Sequence, residues 1–443
     1  MRRRSFVAGA AAAVAATVAM PALAQQAPRT IEMWIGLTGV AQELLIQIGN
    51  DYNARNPEYR VNVSFRGQYP EQRAAAIAAF RAGNPPHIMQ MFDAGTGDMM
   101  SARNAVIPVS EVYRRAGLQF DPRAFIGPAF GYYSTPDGTL LSQPLNVSTA
   151  VMFYNKDAFA RAGLDPEKPP RTWPETIDAA RKLRASGMAC GFTSTWIAWI
   201  MLEQFSALHD LPLSTMDNGR GGLGAVLNFN DAAREKMVQT LVDLQKDKTF
   251  DYGGRSNNAE PKFISGECGI FLQSSGGRGT IARDAKFNWG TAPLPYWPDV
   301  IAQPKNGIVG GASLWVFNAP NRTDAEIRGV AQFLDYLRTP EVLAKFAEPT
   351  GFVPPTEASF NRMREAGYFQ RNPGTEVPFE QLNRGTPTSN SMGYRFGRWT
   401  EIRDFYHEEV ERALQGQITA KQALDNAVQR GNAALRQFER TAQ

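Results

Sequence analysis

Apolar and polar residues alternate along the first third of the chain in two different periods, one typical of strands and one typical of helices. A helix is predicted over 40–53, and a second over 69–83, with Pro70 in its first turn and Gly83 at its end. Strand-like alternation precedes, separates and follows these helices, in TIEMWIGL (30–37), YRVNVSF (59–65) and HIMQMFD (87–93). Strand–helix–strand–helix–strand is the order of a parallel sheet covered by helices.

The rest of the chain continues this alternation and then becomes helical. Two more strand–helix units are VMFYN with KDAFARAG, and CGIFLQ with GGRGTIARDA, among helical stretches at 173–187, 197–208 and 232–246. After Asn318 two helices are separated by Thr339–Pro340 and end at Gly351, and the tail from Arg398 is almost entirely helical. Because no flexible linker divides the chain, we predict an α/β protein of two lobes joined by several short crossings.

The first 24 residues have the pattern of an export signal. A basic start with Arg2, Arg3 and Arg4 precedes an Ala/Val-rich stretch and A-L-A before Gln25. The sequence RRSFV fits twin-arginine export, and an ordinary secretory signal that carries three arginines is the alternative. No later apolar run is long enough for a membrane-spanning helix.

Composition is that of an ordinary globular protein. The chain has 443 residues, of which 43% are hydrophobic and 20% charged, which predicts two or three domains. The formal net charge of +4 includes the three arginines of the export signal, so nothing favours a nucleic-acid partner. Cys190 and Cys268 each begin a predicted strand, and in an exported chain they predict one disulfide, with two separate buried thiols as the alternative.

The sequence contains no recognisable catalytic or metal-binding motif. Its three histidines are far apart; we predict that His87 is structural in a core strand and that His209 and His407 lie on helix surfaces. No G-x-S-x-G elbow and no G-x-x-x-x-G-K-[ST] loop is present. We therefore predict a protein that is not an enzyme and that needs no cofactor.

Polar residues do recur at the ends of predicted strands, where open α/β sheets bind ligands. Asp93 ends one strand, Asn146 to Thr149 precede another, and NGIVGGASLW leads into an apolar strand. In QSSGGRGT (273–280), serine hydroxyls and glycine amides before a helix predict an anion site, or else a plain glycine-rich connection. Trp196 and Trp199 form either a core stripe or a floor on which a ligand stacks.

Four segments together resemble one family of proteins: AAIAAFRAGNPPHIMQMFDAGTGDMM, LLSQPLNVSTAVMFYNKDAFARAGLDPEKPPRTW, GGASLW and NRGTPTSNSMGYRFG. They resemble the glycerol-phosphate branch of the bacterial extracellular solute-binding proteins, over residues 28–440. The resemblance implies the two-lobe periplasmic-binding-protein fold of type II, with hinge strands and a helical C-terminal tail. It places 28–146 plus 310–350 in lobe 1, and 147–309 plus 351–443 in lobe 2.

The resemblance also implies the residues of a ligand site. Arg395 would pair with a phosphate, and Phe352 stands where the family often has a tyrosine, so that a hydroxyl donor is missing. The first strand continues as Trp34-Ile35-Gly36-Leu37, which is less polar than is usual in the family. The other implied site residues are Tyr69, Asp93, Ser148, Trp196, Trp199, Ser274 and Gly311.

The function implied is that of a periplasmic, monomeric binding component of an ABC importer. It would capture sn-glycerol-3-phosphate by lobe closure and deliver it to a membrane permease that has separate ATPase subunits. A glycerophosphodiester such as glycerophosphocholine is the alternative ligand. The two other candidate functions are an exported phosphodiester hydrolase and a sensor partner of a membrane receptor.

Overall fold

The computed structural model describes residues 27–102 and 104–442, and the predicted export signal lies outside them. The chain folds into two β-sheets with helices packed around both. The strands are β1 Arg29–Ile35, β2 Tyr59–Phe65, β3 Ile88–Phe92, β4 Val106–Ile107, β5 Gln143–Ser148, β6 Ala150–Asn155, β7 Cys190–Ser194, β8 Cys268–Ser274, β9 Trp289–Pro293 and β10 Gly310–Phe317. The helices are α1 Gly39–Asn53, α2 Tyr69–Arg81, α3 Thr96–Ser101, α4 Val109–Ala116, α5 Gly127–Tyr133, α6 Lys156–Arg161, α7 Trp173–Ala185, α8 Phe205–Leu208, α9 Thr215–Asn218, α10 Ala232–Gln245, α11 Glu260–Ile264, α12 Arg278–Asp284, α13 Asp324–Leu337, α14 Pro340–Thr350, α15 Glu357–Glu365, α16 Tyr368–Arg371, α17 Val377–Leu382, α18 Trp399–Leu414 and α19 Ala420–Ala442.

The first sheet has the strand order β2-β1-β3-β10-β4, and β5 also pairs with β10. Strands β1, β2 and β3 are parallel, while β10 runs antiparallel to its neighbours β3, β4 and β5. The predicted strand–helix order of the first third of the chain is confirmed. All five residues of β3 are buried, as expected of a strand covered on both faces.

The second sheet has the strand order β7-β8-β6-β9. Strands β7 and β8 are parallel, and their first residues, Cys190 and Cys268, are partners in the register. A disulfide joins these two cysteines, which confirms the predicted pairing. It connects the strand starts of two chain segments that are 78 residues apart.

The chain passes between the two sheets at points that lie close together. Strand β5 of the first sheet ends at Ser148, and β6 of the second begins two residues later. A second crossing leads from β9 of the second sheet to β10 of the first and contains Ile308. Two buried glutamines, Gln204 and Gln381, bond the backbone of these two crossings, and we call them the glutamine clasp. Gln204 donates from Nε2 to the Ile308 carbonyl at 2.7 Å and accepts from the Ile308 amide at 3.1 Å. Gln381 donates to the Ala150 carbonyl at 2.7 Å.

Helices after β10 divide between the two sheets. Helix α13 contacts β1 and α4, and α14 contacts α1, so both pack beside the first sheet. Helices α18 and α19 pack on each other and on α10, and α17 contacts β6 and β9 of the second sheet. Helix α15 packs on α14. The two-lobe architecture is confirmed, and the numbered lobe boundaries stay predictions.

Two of the three histidine predictions are wrong. His209 and His407 are buried, with 3% and 7% of their surfaces exposed, and not on helix surfaces. Each imidazole serves a backbone group: Trp297 donates its amide to His209 Nε2 at 2.8 Å, and Ala198 donates its amide to His407 Nε2 at 3.3 Å. His87 is buried just before β3, where it accepts from the Glu32 amide at 3.1 Å. All three therefore satisfy buried polar groups.

Burial of these histidines has a consequence for acid stability. It lowers the pKa of His87 and His209 to about 4 and that of His407 to about 3, against an ordinary value of about 6.5. At pH values between the lowered pKa of each folded-state histidine and its ordinary pKa of about 6.5, the unfolded chain binds more protons than the folded chain. The free energy of unfolding therefore falls as the pH falls, by up to about 1.4 kcal/mol per pH unit for each histidine.

Three carboxyl groups oppose this trend, one of them Asp404, whose pKa is raised by burial. Burial raises the pKa of Asp93 to about 6 and that of Glu260 to about 7, so below those values they take up protons in the folded state and favour it. The three histidines together have the larger effect, and we expect urea unfolding of the chain without residues 1–24 to give about 2 kcal/mol less stability at pH 5.0 than at pH 7.5. A His407→Gln variant should lose less on acidification than the unmodified chain. A stability that rises on acidification would contradict this prediction.

Candidate functional site

A cleft lies between the two sheets and is lined by residues from both. The lining mixes aromatic rings, glycines and a few polar groups: Gly36, Leu37, Thr38, Ala41, Gln68, Tyr69, Phe92, Asp93, Ser148, Trp196, Trp199, Asn257, Glu260, Gln273, Ser274, Gly276, Gly277, Thr280, Gly311, Phe352 and Arg403.

All of the predicted site residues except Arg395 line this cleft. They come from separate elements of both sheets, as expected of a ligand enclosed between two lobes. The residues that the structure brings together are Tyr69, Asp93, Ser148, Trp196, Trp199, Ser274, Gly311 and Phe352. Their roles toward a ligand stay predictions.

Arg395 is not brought to the cleft. Its Nη2 donates to the backbone carbonyls of Gly131 and Ser134 at 2.9 and 2.8 Å. These carbonyls are at the C-terminal end of α5, where unpaired carbonyls attract cations. Arg395 therefore lies outside the cleft lining, and its role toward a phosphate stays a prediction. The arginine that lines the cleft is Arg403.

Arg403 is held by a buried group of acceptors and donors. It lies on α18 with 6% of its surface exposed. Its Nε and Nη2 each donate to one oxygen of the Glu203 carboxylate at 2.6 Å. Nη2 also donates to Asp93 Oδ2 and, at 3.0 Å, to the Tyr394 hydroxyl oxygen. Such a bidentate pair fixes the plane of the guanidinium.

Glu203 is the shared acceptor of this buried group. Only 1% of its surface is exposed, and it accepts from Trp399 Nε1 at 2.8 Å and from the Tyr394 hydroxyl at 2.6 Å. Asp93 follows the end of β3 and is also buried. Burial raises the pKa of Asp93 to about 6, the positive charge of Arg403 opposes that rise, and the negative charge of Glu203 adds to it. Two carboxylates thus share one guanidinium at this end of the cleft.

The floor of the cleft is formed by an unusual helical segment. Residues Ala198–Gln204 form a π-helix, a form that is often found at functional sites. This segment presents Trp199 to the cleft, while Trp196 lies just before it with a positive φ of 45°. The indole nitrogen of Trp199 is buried without a partner in the described part of the chain. A ligand acceptor in the cleft would satisfy it.

Strand β10 brings its backbone close to this floor. A Cβ added to Gly310 would lie 2.1 Å from Trp199 Cζ2, and one added to Gly311 would lie 1.7 Å from the Asn146 carbonyl oxygen. Gly311 also has a φ of +88°, which side chains rarely adopt. Both positions therefore require glycine. Ser148 is at the end of β5, and its Oγ is buried without a partner in residues 27–102 and 104–442.

The loop after β8 forms a second wall. Ser274 Oγ accepts from the Gly276 amide at 3.2 Å. A Cβ on Gly276 would lie 2.4 Å from Phe352 Cε1, so the loop and the ring are in close contact. Phe352 stacks on Phe346 with centroids 5.6 Å apart. This wall therefore offers hydroxyls and amides beside an apolar surface.

Tyr69 is positioned by a chain of amide side chains. Asn146 Nδ2 donates to the Tyr69 hydroxyl oxygen at 3.1 Å, and Gln90 Nε2 donates to Asn146 Oδ1 at 2.8 Å. Gln90 in turn accepts from the Gly36 amide at 3.0 Å. The Tyr69 ring stacks on Phe92 with centroids 5.1 Å apart. Because Asn146 fixes the hydroxyl as acceptor, the Tyr69 proton is available to a ligand.

The sequence analysis did not single out five polar residues of the lining: Thr38, Gln68, Asn257, Glu260 and Arg403. One signal for Arg403 was available. Arg403 lies on α18 between the buried residues Ile402 and Tyr406, and His407 follows four residues later. The charged side chain is therefore next to the buried face of this helix. A charge in that position needs buried partners.

The site offers binding groups and no recognisable catalytic set. Within the described residues, no three His, Cys, Asp or Glu side chains are arranged to hold a metal ion. Hydroxyls, backbone amides and one arginine are suited to a phosphate or carboxylate, and the indoles are suited to its carbon face. None of the helices in the part of the chain that the structure describes has the length and apolarity to span a bilayer.

Comparisons with known proteins show the family to which the chain belongs. Residues 38–344 match the family model of the bacterial extracellular solute-binding proteins. The chain is 43% identical over 411 residues to the sn-glycerol-3-phosphate-binding periplasmic protein UgpB of Rhizobium meliloti (strain 1021), covering 93% of this chain and 94% of that one.

Solved structures show the same fold. UgpB from Mycobacterium tuberculosis, in complex with glycerophosphocholine, matches with a TM-score of 0.76 at 18% identity, over 94% of this chain and 99% of that one. The cyclic alpha-maltosyl-1,6-maltose binding protein from Arthrobacter globiformis matches with a TM-score of 0.71 at 22% identity, over 92% and 99%. The fold is therefore the two-lobe type II fold of periplasmic binding proteins, and the chain belongs to the bacterial extracellular solute-binding protein family.

Proposed function

We propose that this protein captures sn-glycerol-3-phosphate in the periplasm for an ABC importer. The observation that carries the proposal is a cleft between two sheets whose lining includes a buried arginine, Arg403, together with Ser148 and Trp199, whose buried Oγ and Nε1 have no partner within the described residues. A relative named as a periplasmic sn-glycerol-3-phosphate-binding protein, aligned over nearly the whole of both chains, supports the same ligand.

Within the cleft, the phosphate would be held by Arg403, Ser148 and Ser274, with the backbone of Gly311 beside them. A phosphate prefers this mixture of charge-assisted bonds and neutral donors. The glycerol carbons would pack on the indole of Trp199, and Asp93 and Tyr69 would bond its hydroxyls. Phe352 would contribute an apolar wall.

Delivery of the ligand to a permease would depend on closure of the two lobes. A ligand that touches both lobes shifts the balance toward the closed form by its differential affinity for that form. The closed protein would act as a monomer and dock on a membrane permease, and separate ATPase subunits would supply energy, since this sequence has no P-loop. The Cys190–Cys268 disulfide is in keeping with an oxidising compartment. Export would use the predicted twin-arginine signal.

A glycerophosphodiester is the second candidate ligand. One protein of the same fold is described in complex with glycerophosphocholine. Catalysis is not part of the proposal, because the family and the relatives are solute-binding proteins.

Calorimetric titration of the chain without residues 1–24 tests the proposal. We expect sn-glycerol-3-phosphate to bind with a Kd of about 1 μM or tighter, and glycerol alone to give no measurable heat, because only the phosphate engages Arg403. Inorganic phosphate is the second control. Equal binding of glycerol and glycerol phosphate would contradict the phosphate assignment, and silence with every phosphate ester would overturn the proposed function.

A further inference from the structure

One charged residue of the cleft has no role in the proposed function. Glu260 is the first residue of α11 and lines the cleft. Its Oε2 accepts from Gln273 Nε2 at 3.2 Å, and within the described residues it forms no ion pair. Arg403, the one arginine of the lining, is already bonded to Asp93 and Glu203. Glu260 therefore presents a carboxylate to the cleft without a countercharge.

The position of this carboxylate is fixed by neighbouring amides. Gln273 Oε1 accepts from the Thr195 hydroxyl at 2.6 Å and from the Ser274 amide at 2.8 Å. The Gln273 side chain must then point its NH₂ group at Glu260 and at Asn257 Oδ1, 3.2 Å away. A carboxylate has more acceptor sites than this single donor fills.

The Trp196 ring lies beside the same amides. Its Nε1 donates to Asn257 Oδ1 at 2.8 Å, and the same Asn257 oxygen accepts from Gln273. The indole is thus held in one orientation at the end of the cleft that carries Glu260. A carboxylate next to a fixed indole is the arrangement that binds ammonium groups, by charge and by the attraction of a cation to the face of the ring.

The electrostatics of Glu260 point the same way. Burial raises its pKa to about 7; Gln273 and Arg283 oppose the rise, and Asp284 adds to it. Arg283 is paired with Asp284 at 2.9 Å, so it is not a free partner for Glu260. A partly buried carboxylate without a countercharge is costly, and a ligand cation would reduce that cost.

The charges of the cleft favour a ligand that carries both signs. Its lining holds one arginine and two carboxylates, Asp93 and Glu260. We propose that Glu260 and Trp196 form a subsite for the ammonium head group of a glycerophosphodiester, while the phosphate is bound by the groups around Arg403. This inference rests on the proposed function and deepens it, since it assigns the ligand a cationic alcohol beyond the phosphate.

A comparison of two diesters isolates the head group. Glycerophosphocholine and glycerophosphoglycerol share the glycerol phosphate and differ in whether the head group is charged. We expect the unmodified chain, titrated by calorimetry at pH 8.0, to prefer glycerophosphocholine by about tenfold or more. In a Glu260→Gln variant this preference should fall to less than about threefold, while sn-glycerol-3-phosphate binds at least as well as before.

The matched control is Glu267→Gln, which makes the same chemical change outside the cleft lining, at a carboxylate that pairs with Lys262 at 3.0 Å. It should keep the full preference. An equal loss of affinity for both diesters in Glu260→Gln, or no preference in the unmodified chain, would overturn the subsite. In either case, binding of sn-glycerol-3-phosphate by the unmodified chain would leave the proposed function intact. If that ester also fails to bind, the proposed function fails too.

The unmodified chain provides a second readout that does not depend on any variant folding. Neither diester has a group that titrates between pH 5.5 and 8.0, so a change in their affinity ratio reports the protein. Around Glu260 the charged groups are Arg283 and Asp284. At the other end, Asp93 faces the part that the two ligands share. We expect the preference for glycerophosphocholine to decrease as the pH falls and Glu260 takes up a proton. A constant ratio would contradict the proposal.

Discussion

Replacement of Arg403 by glutamine is expected to weaken the binding of sn-glycerol-3-phosphate by about 100-fold or more. The substitution removes the cation of the cleft lining and leaves Asp93 and Glu203 beside the site of the phosphate. Truncation of one member of a buried, hydrogen-bonded charge pair costs about 2–5 kcal/mol in binding. Calorimetric titration at pH 7.5 measures the loss directly.

The same variant is expected to be less stable. Asp93 and Glu203 are 5% and 1% exposed, and without Arg403 they are two buried carboxylates that face each other. Removal of one partner from a buried ion pair typically costs about 3–5 kcal/mol. A double variant, Arg403→Gln with Glu203→Gln, removes one of the stranded charges. It should recover part of the stability in urea unfolding without recovering the affinity.

Two other arginines serve as controls. Arg412 lies on the same helix, 46% exposed and paired with Glu409 at 2.8 Å, and Arg412→Gln should leave both affinity and stability nearly unchanged. Arg395→Gln should affect stability, because Arg395 bonds carbonyls at the end of α5. If Arg395→Gln abolished binding in a folded protein while Arg403→Gln did not, the assignment of the phosphate to Arg403 would be wrong.

Loss of the disulfide is the second large effect that we expect. Replacement of Cys190 and Cys268 by serine opens a loop closed over 78 residues. On the chain-entropy model a loop of this length is worth about 4 kcal/mol, because the crosslink restricts the unfolded chain. We therefore expect a large drop in the free energy of unfolding, measured with urea at pH 7.5.

Binding should be affected much less than stability. The disulfide joins the first residues of β7 and β8, whereas the cleft is lined by residues near the opposite ends of these strands, such as Gln273 and Ser274. Below the unfolding transition, we expect the double serine variant to bind within about threefold of the unmodified chain. Reduction of the unmodified chain with a thiol should reproduce the loss of stability. A variant as stable as the oxidised chain would contradict the prediction.

The alternation of strands and helices could be predicted because it depends on the local period of apolar and polar residues. The predicted strand at 59–65 and helix at 40–53 agree with β2 and α1 to within a residue, and Gly351 ends α14 with a φ of +84°, as its position after a helix indicates. Each of these features depends on side chains a few residues apart. The two cysteines could be paired because each begins a strand in an exported chain.

The features that the sequence did not predict depend on contacts between distant segments. Arg403 was missed because the partners that hold it beside the cleft, Asp93 and Glu203, lie far away along the chain. The stretch 197–208 was predicted as a helix, but the π-helix within it is not a local preference. His407 was placed on a surface because its burial depends on the π-helical segment packed over it.

The glutamine clasp allows the overall affinity of the protein to change independently of its preference among ligands. Gln204 and Gln381 lie outside the cleft lining, yet they hold together the segments through which the chain passes from one sheet to the other. Affinity scales with the fraction of molecules in the binding-competent form. A substitution at Gln381 would then multiply every ligand's affinity by one factor and leave the ratios between ligands unchanged. Evolution can thus adjust the concentration at which uptake begins without altering which nutrient is chosen.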